Sequence, residues 1–327
     1  VRYHSRDKVK GVAHHAKAGN INAALLAGRT SADFVLVLDC DMVPNADFLI
    51  SALPHFYYAD QRGEWVLKPK AAFVQTPQDF YNLGPADALG HAARFFYGPM
   101  LQGRDGIGAC PCVGTGVIFR RDILVSMGGQ AYGSITEDYN TAMQLLGDGF
   151  SSAFLNQRLV YGLAPDDVGA AMTQRLRWSM GSLQIFLHNN PLFFDGLTWP
   201  QALLFFASVL QYWMAVPTLC LMLYVPFFLL TRVPPFSAPL LGFTLFFHSS
   251  YFLNRYMLYL FNTTRPRTDL DLQAGADMFI YMVPTYLQAI WRVYTAETKL
   301  GRWLKWALTC GGAGGAIGFT VTKKGDD

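Results

Sequence analysis

The first half of the chain alternates short apolar runs with segments whose apolar residues recur at helical spacing. The run Phe34–Leu38 (FVLVL) lies between acidic residues without a polar interruption, which predicts a strand buried on both faces of a mainly parallel sheet. The other predicted elements are helices at Ala16–Leu26 and Asp138–Leu146 and strands at Phe73–Gln75, Val117–Arg120 and Ala153–Val160. This alternation predicts an α/β domain over roughly residues 1–165.

The second half of the chain carries longer apolar stretches. Ala170–Phe186 has helical spacing with an aromatic and apolar face, so it could lie at a membrane surface. Leu203–Leu230 and Leu240–Phe261 are each long enough to cross a bilayer, which takes about 20 residues. Pro217 and Pro226 would kink the first of them. These two stretches predict two transmembrane helices.

The last part of the chain predicts a helix lying in the membrane interface. Met278–Tyr294 is apolar but short and contains Arg292, and it is followed closely by basic and indole side chains at Lys299, Arg302, Trp303, Lys305 and Trp306. Such a mixture is typical of an interfacial helix rather than a span. The chain is therefore expected to divide into a domain at 1–198 that ends in a surface helix (170–188), two spans within 199–262, and an interfacial segment at 263–327.

The charge distribution supports this division. The chain has 52% hydrophobic and only 15% charged residues, whereas a soluble domain carries about a quarter charged residues. Residues 1–199 hold 16 Lys and Arg and 17 Asp and Glu, while Pro200–Phe261 contains only Arg232 and Arg255. A net charge of +3 is too small to indicate nucleic-acid binding.

The charges that flank the second span predict the side of the membrane on which the first domain lies, and the cysteines indicate which stabilising sites are absent. Arg265 and Arg267 follow the second predicted span on the side of the first domain, so the positive-inside tendency predicts that this domain is cytoplasmic. The five cysteines include no paired CxxC set, which argues against a zinc site or a disulfide framework; Cys110 and Cys112 are interpreted as reduced thiols in a loop. The sequence begins at Val1 without a signal peptide and is interpreted as an N-terminally truncated fragment.

Two acidic groups of residues are candidates for chemistry. Asp39 and Asp41 follow the predicted strand two residues apart, so both carboxylates could converge on one Mg²⁺ or Mn²⁺; a turn with two solvated acids is the alternative. Thr136, Glu137 and Asp138 come about 100 residues later. One carboxylate there could deprotonate a hydroxyl, or the three could form an ordinary helix start with Thr136 as its cap.

Two further groups carry basic side chains. Gln174, Arg175, Arg177 and Trp178 mix guanidinium and indole on one helix, which suits phosphate and sugar binding as well as a membrane-surface helix. Lys17, Gly19 and Asn20 could approach a nucleotide, with Asn20 also a candidate helix cap. Gly114–Gly116 is interpreted as a turn before a strand.

Taken in order, these motifs resemble the cellulose synthase family of processive, inverting family 2 glycosyltransferases. The matching segments are AKAGN at 16–20, DCD at 39–41, QTPQ.F at 75–80, TED at 136–138, QRLRW at 174–178 and FTVTKK at 319–324. TED followed by QxxRW and then two spans is specific, and FTVTKK is similar to the family's gating loop. The resemblance implies a GT-A-like (Rossmann-like) glycosyltransferase domain followed by an α-helical transmembrane region.

The resemblance also implies a role for each matching residue. Asp39 and Asp41 would contact the nucleotide diphosphate and its Mg²⁺ or Mn²⁺, and Lys17 and Asn20 would lie beside the nucleotide. Asp138 would be the general base, with Thr136 and Glu137 shaping the acceptor site. Gln174 and Arg177 would hold diphosphate and acceptor, and Trp178 would stack on the terminal sugar. The loop that closes over the donor would contain Phe319, Val321, Thr322 and Lys324.

The implied enzyme transfers glucose from UDP-glucose to a growing β-1,4-glucan and exports the polymer across the plasma membrane. Its partners would be UDP-glucose, the glucan, lipid and further synthase or accessory subunits. A synthase of mixed-linkage glucan, chitin or hyaluronan is an alternative, as is a non-catalytic membrane scaffold. A further aspartate motif of the family is absent, and Val113–Gly114 stands where many members have Cys-Gly. The fragment alone is therefore expected to be inactive.

Overall fold

The computed structural model describes residues 3–6, 14–28, 30–84, 87, 89–234, 237, 239–261 and 268–308. The helices are α1 (Ala16–Leu26), α2 (Phe48–Ala52), α3 (Leu101–Asp105), α4 (Arg121–Ser126), α5 (Glu137–Gly147), α6 (Val168–His188), α7 (Trp199–Trp213), α8 (Ala215–Thr231), α9 (Leu240–Phe261), α10 (Thr268–Glu297) and α11 (Lys299–Leu308). The strands are β1 (Phe34–Val37), β2 (Val43–Pro44), β3 (Tyr57–Ala59), β4 (Trp65–Leu67), β5 (Ala71–Gln75), β6 (Gln78–Phe80), β7 (Val117–Arg120), β8 (Ser151–Phe154) and β9 (Val160–Gly162).

The main sheet has the strand order β1-β7-β5-β8. Strand β7 runs antiparallel to both β1 and β5, whereas β5 and β8 are parallel. The expectation that β1 is buried on both faces of a mainly parallel sheet was therefore wrong: the sheet is mixed, β1 lies at its edge, and of its residues only Val37 is buried. An apolar run has the same pattern beside a parallel or an antiparallel neighbour, so the sequence pattern could not decide strand direction.

Alternate residues of the central strands enter two different cores. Phe73 and Phe119 pack into a cluster that includes Leu145 of α5 and Phe205 of α7. The next residues along the same strands, such as Ile118, face a second cluster. This two-sided burial follows from the period of two in a strand, and it makes the main sheet the middle layer of an α/β sandwich.

Several predicted elements are confirmed, and two are corrected. Helix α1 spans the predicted residues, but its N-cap is His15, so Asn20 lies inside the helix rather than at its cap. The predicted strand at Ala153–Val160 is two strands, β8 and β9, which belong to different sheets. A smaller sheet of order β2-β9-β6 lies beside the main one, and β3 pairs with β4 in a hairpin.

The helical half of the chain packs directly onto the sandwich. Helix α7 sends Phe205 and Val209 into the main core, so its inner face is buried in protein. Helix α10 packs along α6 through Ala289 and Val293. It has 30 residues and begins ten residues before the predicted Met278–Tyr294 segment.

Membrane-span criteria are met by one pair of helices rather than by one continuous helix. Among the described residues, no individual helix has both the length and the apolar composition of a span; α7 and α8 reach them together, with a bend of 41° between them. Leu240–Leu253 of α9 is apolar but shorter. The predicted two-span arrangement stays a prediction.

Candidate active site

Three chain segments meet at one edge of the main sheet, the edge formed by the ends of its strands. Strands β1 and β5 end there, at Val37 and Gln75, and β7 begins there at Val117, which is paired with both. Asp39 therefore follows β1 at the place where the loop 113–116 leads into β7. The carboxyl ends of strands in open α/β sheets commonly bind ligands, and the predicted acidic motif lies at that edge.

Gln75 holds the loop that crosses this edge. Its side chain is fully buried; Oε1 accepts a hydrogen bond from the Val113 amide at 2.9 Å, and Nε2 donates to the Thr115 carbonyl oxygen at 2.8 Å. Thr115 in turn accepts a hydrogen bond from the Asp39 amide on its Oγ1, at 3.1 Å. One buried amide thus fixes the loop relative to the acidic motif.

Lys17 connects helix α1 to the same place. Its Nζ donates to Oδ1 of Asp39 and to the carbonyl oxygen of Gly114, in both cases at 2.5 Å. Lys17 and Asp39 are both half-buried. The structure therefore brings together two predicted site residues that are 22 positions apart in the sequence. Asp41, also half-buried, lies at the same strand end.

Asp138 lies against the bare backbone of Gly114. A Cβ atom built on Gly114 would lie 2.7 Å from Oδ2 of Asp138, and Gly114 has φ +86°, a conformation that disfavours other residues. Burial raises the pKa of Asp138; the hydrogen bond from the Tyr139 amide and the charge of Lys17 act in the opposite direction, while Asp39 adds to the rise. Asp138 is thus a half-buried carboxyl group with a raised pKa, which suits a proton acceptor near neutral pH.

Glu137 and Thr136 complete the start of α5. Burial and the neighbouring Asp138 charge both raise the pKa of Glu137. Thr136 occupies the N-cap position as predicted, but its side chain makes no capping hydrogen bond there. Its Oγ1 instead lies 3.1 Å from Oγ of Ser134. The helix-start interpretation is therefore confirmed for the position of these residues, and their role in an active site stays a prediction.

Helix α6 brings Arg177 of the QRLRW motif close to the acidic cluster. Arg177 is half-buried, and desolvation lowers its pKa against the opposing charges of Asp39, Glu137 and Asp138. Gln174 is buried. The positive charges of Lys17 and Arg177 therefore lie close to the acidic side chains at these strand ends. This arrangement suits the binding of an anionic ligand.

The Trp178 ring is covered on one side by a neighbour on its own helix. The Arg175 guanidinium lies over the Trp178 ring at 5.0 Å from the ring centroid. Arg175 also donates to the Gly90 carbonyl oxygen at 3.2 Å, which ties α6 to the 89–90 segment. A ligand stacking on Trp178 would therefore use the opposite face of the indole.

Sequence reasoning missed three residues of this site. Gln75 lies in the QTPQ.F motif but was given no role, and Gly114 was interpreted as part of a turn and as the glycine of the family's Cys-Gly position. Tyr97 was not singled out at all: its buried hydroxyl makes a hydrogen bond with the Gln78 backbone, and burial together with the Asp138 charge raises its pKa. The glycine between Val113 and Thr115 was the one available hint, because close backbone approach requires glycine.

Some predicted residues are not brought into the cluster. Asn20 is exposed on α1. The gating-loop residues lie outside the described residues, so their predicted positions are untested; they are Phe319, Val321, Thr322 and Lys324.

Asp39 and Asp41 could supply two hard oxygen ligands to a divalent cation. The described part of the chain has no group of three or more His, Cys, Asp or Glu placed to hold a metal without other ligands.

Comparisons with known proteins agree with this architecture. The chain is 47% identical over 175 residues to the catalytic protein of a UDP-forming cellulose synthase from Dictyostelium discoideum, covering 53% of this chain and 16% of that protein. It is 37% identical over 210 residues to cellulose synthase 1 of Komagataeibacter xylinus, covering 62% of this chain and 13% of that protein. The chain thus spans less than a fifth of the length of either relative.

A solved structure supports the fold. A mannosyltransferase of Pyrobaculum calidifontis, in complex with GDP-Man and Mn²⁺, matches 86% of this chain and 68% of its own with a TM-score of 0.50 at 16% identity. The GT-A-like fold expected from the motifs is confirmed at this level. The sequence model of glycosyl transferase family group 2 matches residues 34–295, which is most of the chain. The resemblance to cellulose synthases is therefore confirmed, and the chain belongs to glycosyl transferase family group 2.

Proposed function

We propose that the chain is the catalytic part of a membrane-embedded, processive and inverting glycosyltransferase. It transfers glucose from UDP-glucose to the end of a growing β-1,4-glucan. The observation that carries this proposal is the half-buried carboxyl group of Asp138, which lies against Gly114 with the cations Lys17 and Arg177 nearby. A base beside two cations suits a reaction that removes a proton and releases a diphosphate.

In the proposed reaction, an acceptor hydroxyl oxygen attacks the anomeric carbon of the donor glucose from the side opposite UDP. The new C–O bond forms as the bond between that carbon and the diphosphate oxygen breaks, and the bonding electron pair leaves with UDP. The hydroxyl proton passes to the Asp138 carboxylate. Because only one displacement occurs, the anomeric configuration inverts and no covalent enzyme intermediate is needed.

Basic and amide side chains hold the donor in this proposal. Lys17 and Arg177 act on the diphosphate charge, since each is cationic and lies beside the acidic cluster. Gln174 contacts the diphosphate and acceptor, and Asn20 lies beside the nucleotide. The segment with Phe319, Val321, Thr322 and Lys324 closes over the bound donor.

The donor set of Asp39 and Asp41 fits Mg²⁺ or Mn²⁺. Two hard carboxylates are too few for a cage made of protein alone, and both cations commonly share their coordination shell with substrate phosphates. When bound, such an ion would offset the charge that develops on the diphosphate. The Mn²⁺ and GDP-Man of the Pyrobaculum calidifontis mannosyltransferase support this assignment.

The acceptor site lies on the side of α6 and the start of α5. Trp178 stacks its free indole face on the terminal sugar, because Arg175 covers the other face. Thr136 and Glu137 shape the space in which the acceptor hydroxyl reaches Asp138. Arg175 thereby keeps the indole in one orientation while successive sugars pass.

The helical half is proposed to embed the enzyme in the plasma membrane, with the catalytic domain in the cytoplasm. The bent pair α7–α8 and helix α9 would form the spans, since α8 exposes a largely apolar surface that includes Leu221, Leu229 and Leu230. The growing polymer leaves along these helices. Further synthase copies or accessory proteins would associate with them.

Incorporation of radiolabelled glucose from UDP-glucose into polymer, followed by digestion with linkage-specific glucanases, tests the proposal. Digestion by a β-1,4-glucanase and loss of incorporation in Asp138→Asn are the expected results. Incorporation of sugar from UDP-N-acetylglucosamine alone would identify the product as chitin, and a requirement for UDP-N-acetylglucosamine together with UDP-glucuronate would identify it as hyaluronan. Binding of UDP without any transfer by the complete protein would indicate a non-catalytic scaffold.

A further inference from the structure

We propose that Gln184 and Glu297 form a hydrogen-bonded relay that positions the backbone before Asp138, so that the end of α10 controls the acceptor side of the site. Both are positioning residues rather than catalytic ones. The inference rests on the proposed function for its effect on glucosyl transfer. The relay itself is a structural arrangement that is measurable without any activity.

One end of the relay is the segment 134–136. The Ile135 amide donates to Oε1 of Gln184 at 3.0 Å, and Oγ of Ser134 donates to the Gly181 carbonyl oxygen at 2.9 Å. Helix α6 comes so close here that a Cβ atom on Gly181 would lie 2.7 Å from the Thr136 amide nitrogen. Since Ile135 is three residues before Asp138, α6 sets the path by which the chain enters α5.

The other end of the relay is the last residue of α10. Nε2 of Gln184 donates to Oε1 of Glu297 at 2.7 Å, and Nε2 of His188 lies 2.5 Å from the second carboxylate oxygen of Glu297. The Glu297 side chain is 19% exposed, so solvent replaces little of this bonding. One carboxylate thus holds two side chains of α6 that are one helical turn apart.

The chemistry of Gln184 makes the relay directional. A backbone amide can only donate, so the Gln184 oxygen must face Ile135 and its NH₂ group must face an acceptor. The Glu297 carboxylate is such an acceptor. Glutamate at position 184 would still accept from Ile135 but would set two carboxylates against each other.

The packing around the relay is firm enough to transmit a displacement. Met180 and Leu183 of α6 are buried against Ala289 and Val293 of α10, one to two turns before Glu297. A close-packed apolar interface moves as a unit. A shift of α10 relative to the sandwich therefore reaches Ile135 through Gln184, and this couples the helical half of the chain to the acceptor side.

An exchange of the two functional groups tests the relay in the complete protein. Gln184→Glu should lower kcat about ten-fold, the size expected for one disrupted charged hydrogen bond, and leave the KM for UDP-glucose within about two-fold. Glu297→Gln should change kcat less than about three-fold, because an amide can still accept from Gln184. The double variant restores a donor opposite an acceptor, so kcat should return toward the wild-type value.

A second measurement separates this inference from the proposed function. Hydrogen exchange of the peptide that contains Ile135 should rise in Gln184→Glu and fall back in the double variant, whether or not the protein makes polymer. Gln102→Glu adds the same charge at an exposed helix position and should change neither readout. If the double variant is as defective as Gln184→Glu in both measurements, the relay is wrong. If the double variant regains protection from exchange but the wild-type protein transfers no glucose, only the proposed function is overturned.

Discussion

Lys17 and Asp39 form an ion pair beside the C-terminal end of β1, with Nζ and Oδ1 2.5 Å apart. The same Nζ binds the carbonyl oxygen of Gly114, the residue whose backbone lies against Asp138. Lys17 therefore connects the predicted diphosphate side of the site to the predicted base. Its positive charge acts on both carboxyl groups.

Replacing Lys17 with Met should shift the acid limb of the pH profile upward. Lys17 lowers the pKa of Asp138, so its removal raises that pKa further and the ionised base appears only at higher pH. The profile of kcat/KM against pH, with UDP-glucose as donor, measures the shift. UDP affinity should fall as well, because one cation near the diphosphate is lost.

Lys70→Met provides the matched control for Lys17→Met. Lys70 is exposed and immediately precedes β5, at the end of that strand opposite Gln75. Its removal changes the net charge equally and should leave the pH profile unchanged. An equal shift in both variants would mean that net charge alone, rather than the contact of Lys17, sets the profile.

Asp138→Asn should abolish polymer synthesis while UDP binding remains. A general base contributes roughly 10²–10⁴-fold to a reaction rate, so the rate of transfer in Asp138→Asn should be lower than in the wild type by about that factor. Retained synthesis would exclude Asp138 as the base. Glu137→Gln is the matched control next to it, and it should leave more activity than Asp138→Asn because Glu137 is assigned to the shape of the acceptor site.

Asp138→Asn should also stabilise the fold at neutral pH. Burial raises the pKa of Asp138 above its unfolded value, so the folded state binds more protons in the window between the two pKa values. The free energy of unfolding therefore falls as pH rises through that window and stays lower above it. Asp138→Asn removes this cost, and its melting temperature should exceed that of the wild type at pH 7.5 but not at pH 4. A lower melting temperature at pH 7.5 would contradict the raised pKa.

Gly114→Ala should impair transfer more than an equivalent change elsewhere. The new methyl group would lie 2.7 Å from Oδ2 of Asp138, so the carboxyl group must move. Gly128→Ala is a close control, because Gly128 has φ +83° and nothing within 4 Å of the added atom. Both variants should lose about 1–2 kcal/mol from the left-handed backbone, and only Gly114→Ala should lower kcat. Equal kcat values would argue against close packing of Gly114 on the base.

Arg104→Met should destabilise the junction between the sandwich and α7. The buried Arg104 guanidinium donates to the Leu204 carbonyl oxygen at 2.8 Å, to Oγ of Ser208, and to the Tyr139 hydroxyl at 3.4 Å. Loss of these bonds should cost on the order of 2–3 kcal/mol, measured as a lower melting temperature. Arg94→Met, at an exposed arginine, should leave the melting temperature unchanged. Similar values for the two variants would show that Arg104 adds little to this junction.

Much of the fold could be predicted because its elements have local causes. The uninterrupted apolar run at Phe34–Leu38 and the helical spacing of Ala170–Phe186 are patterns that depend only on the neighbouring sequence. Strand order and direction could not be predicted in this way. They depend on which distant strand is hydrogen-bonded beside β7, and the apolar pattern of Val117–Arg120 is compatible with either direction.

The sequence by itself determined the types of residue available for chemistry: the carboxylates at positions 39, 41 and 138, the cations at 17 and 177, and the indole at 178. Only the tertiary structure decided that Lys17 pairs with Asp39, that Gly114 lies against Asp138, and that Gln75 holds the loop between them. Each of these contacts joins residues that are more than 20 positions apart. They form because β1 and β5 end at the edge where β7 begins, and this convergence is a property of the folded sheet.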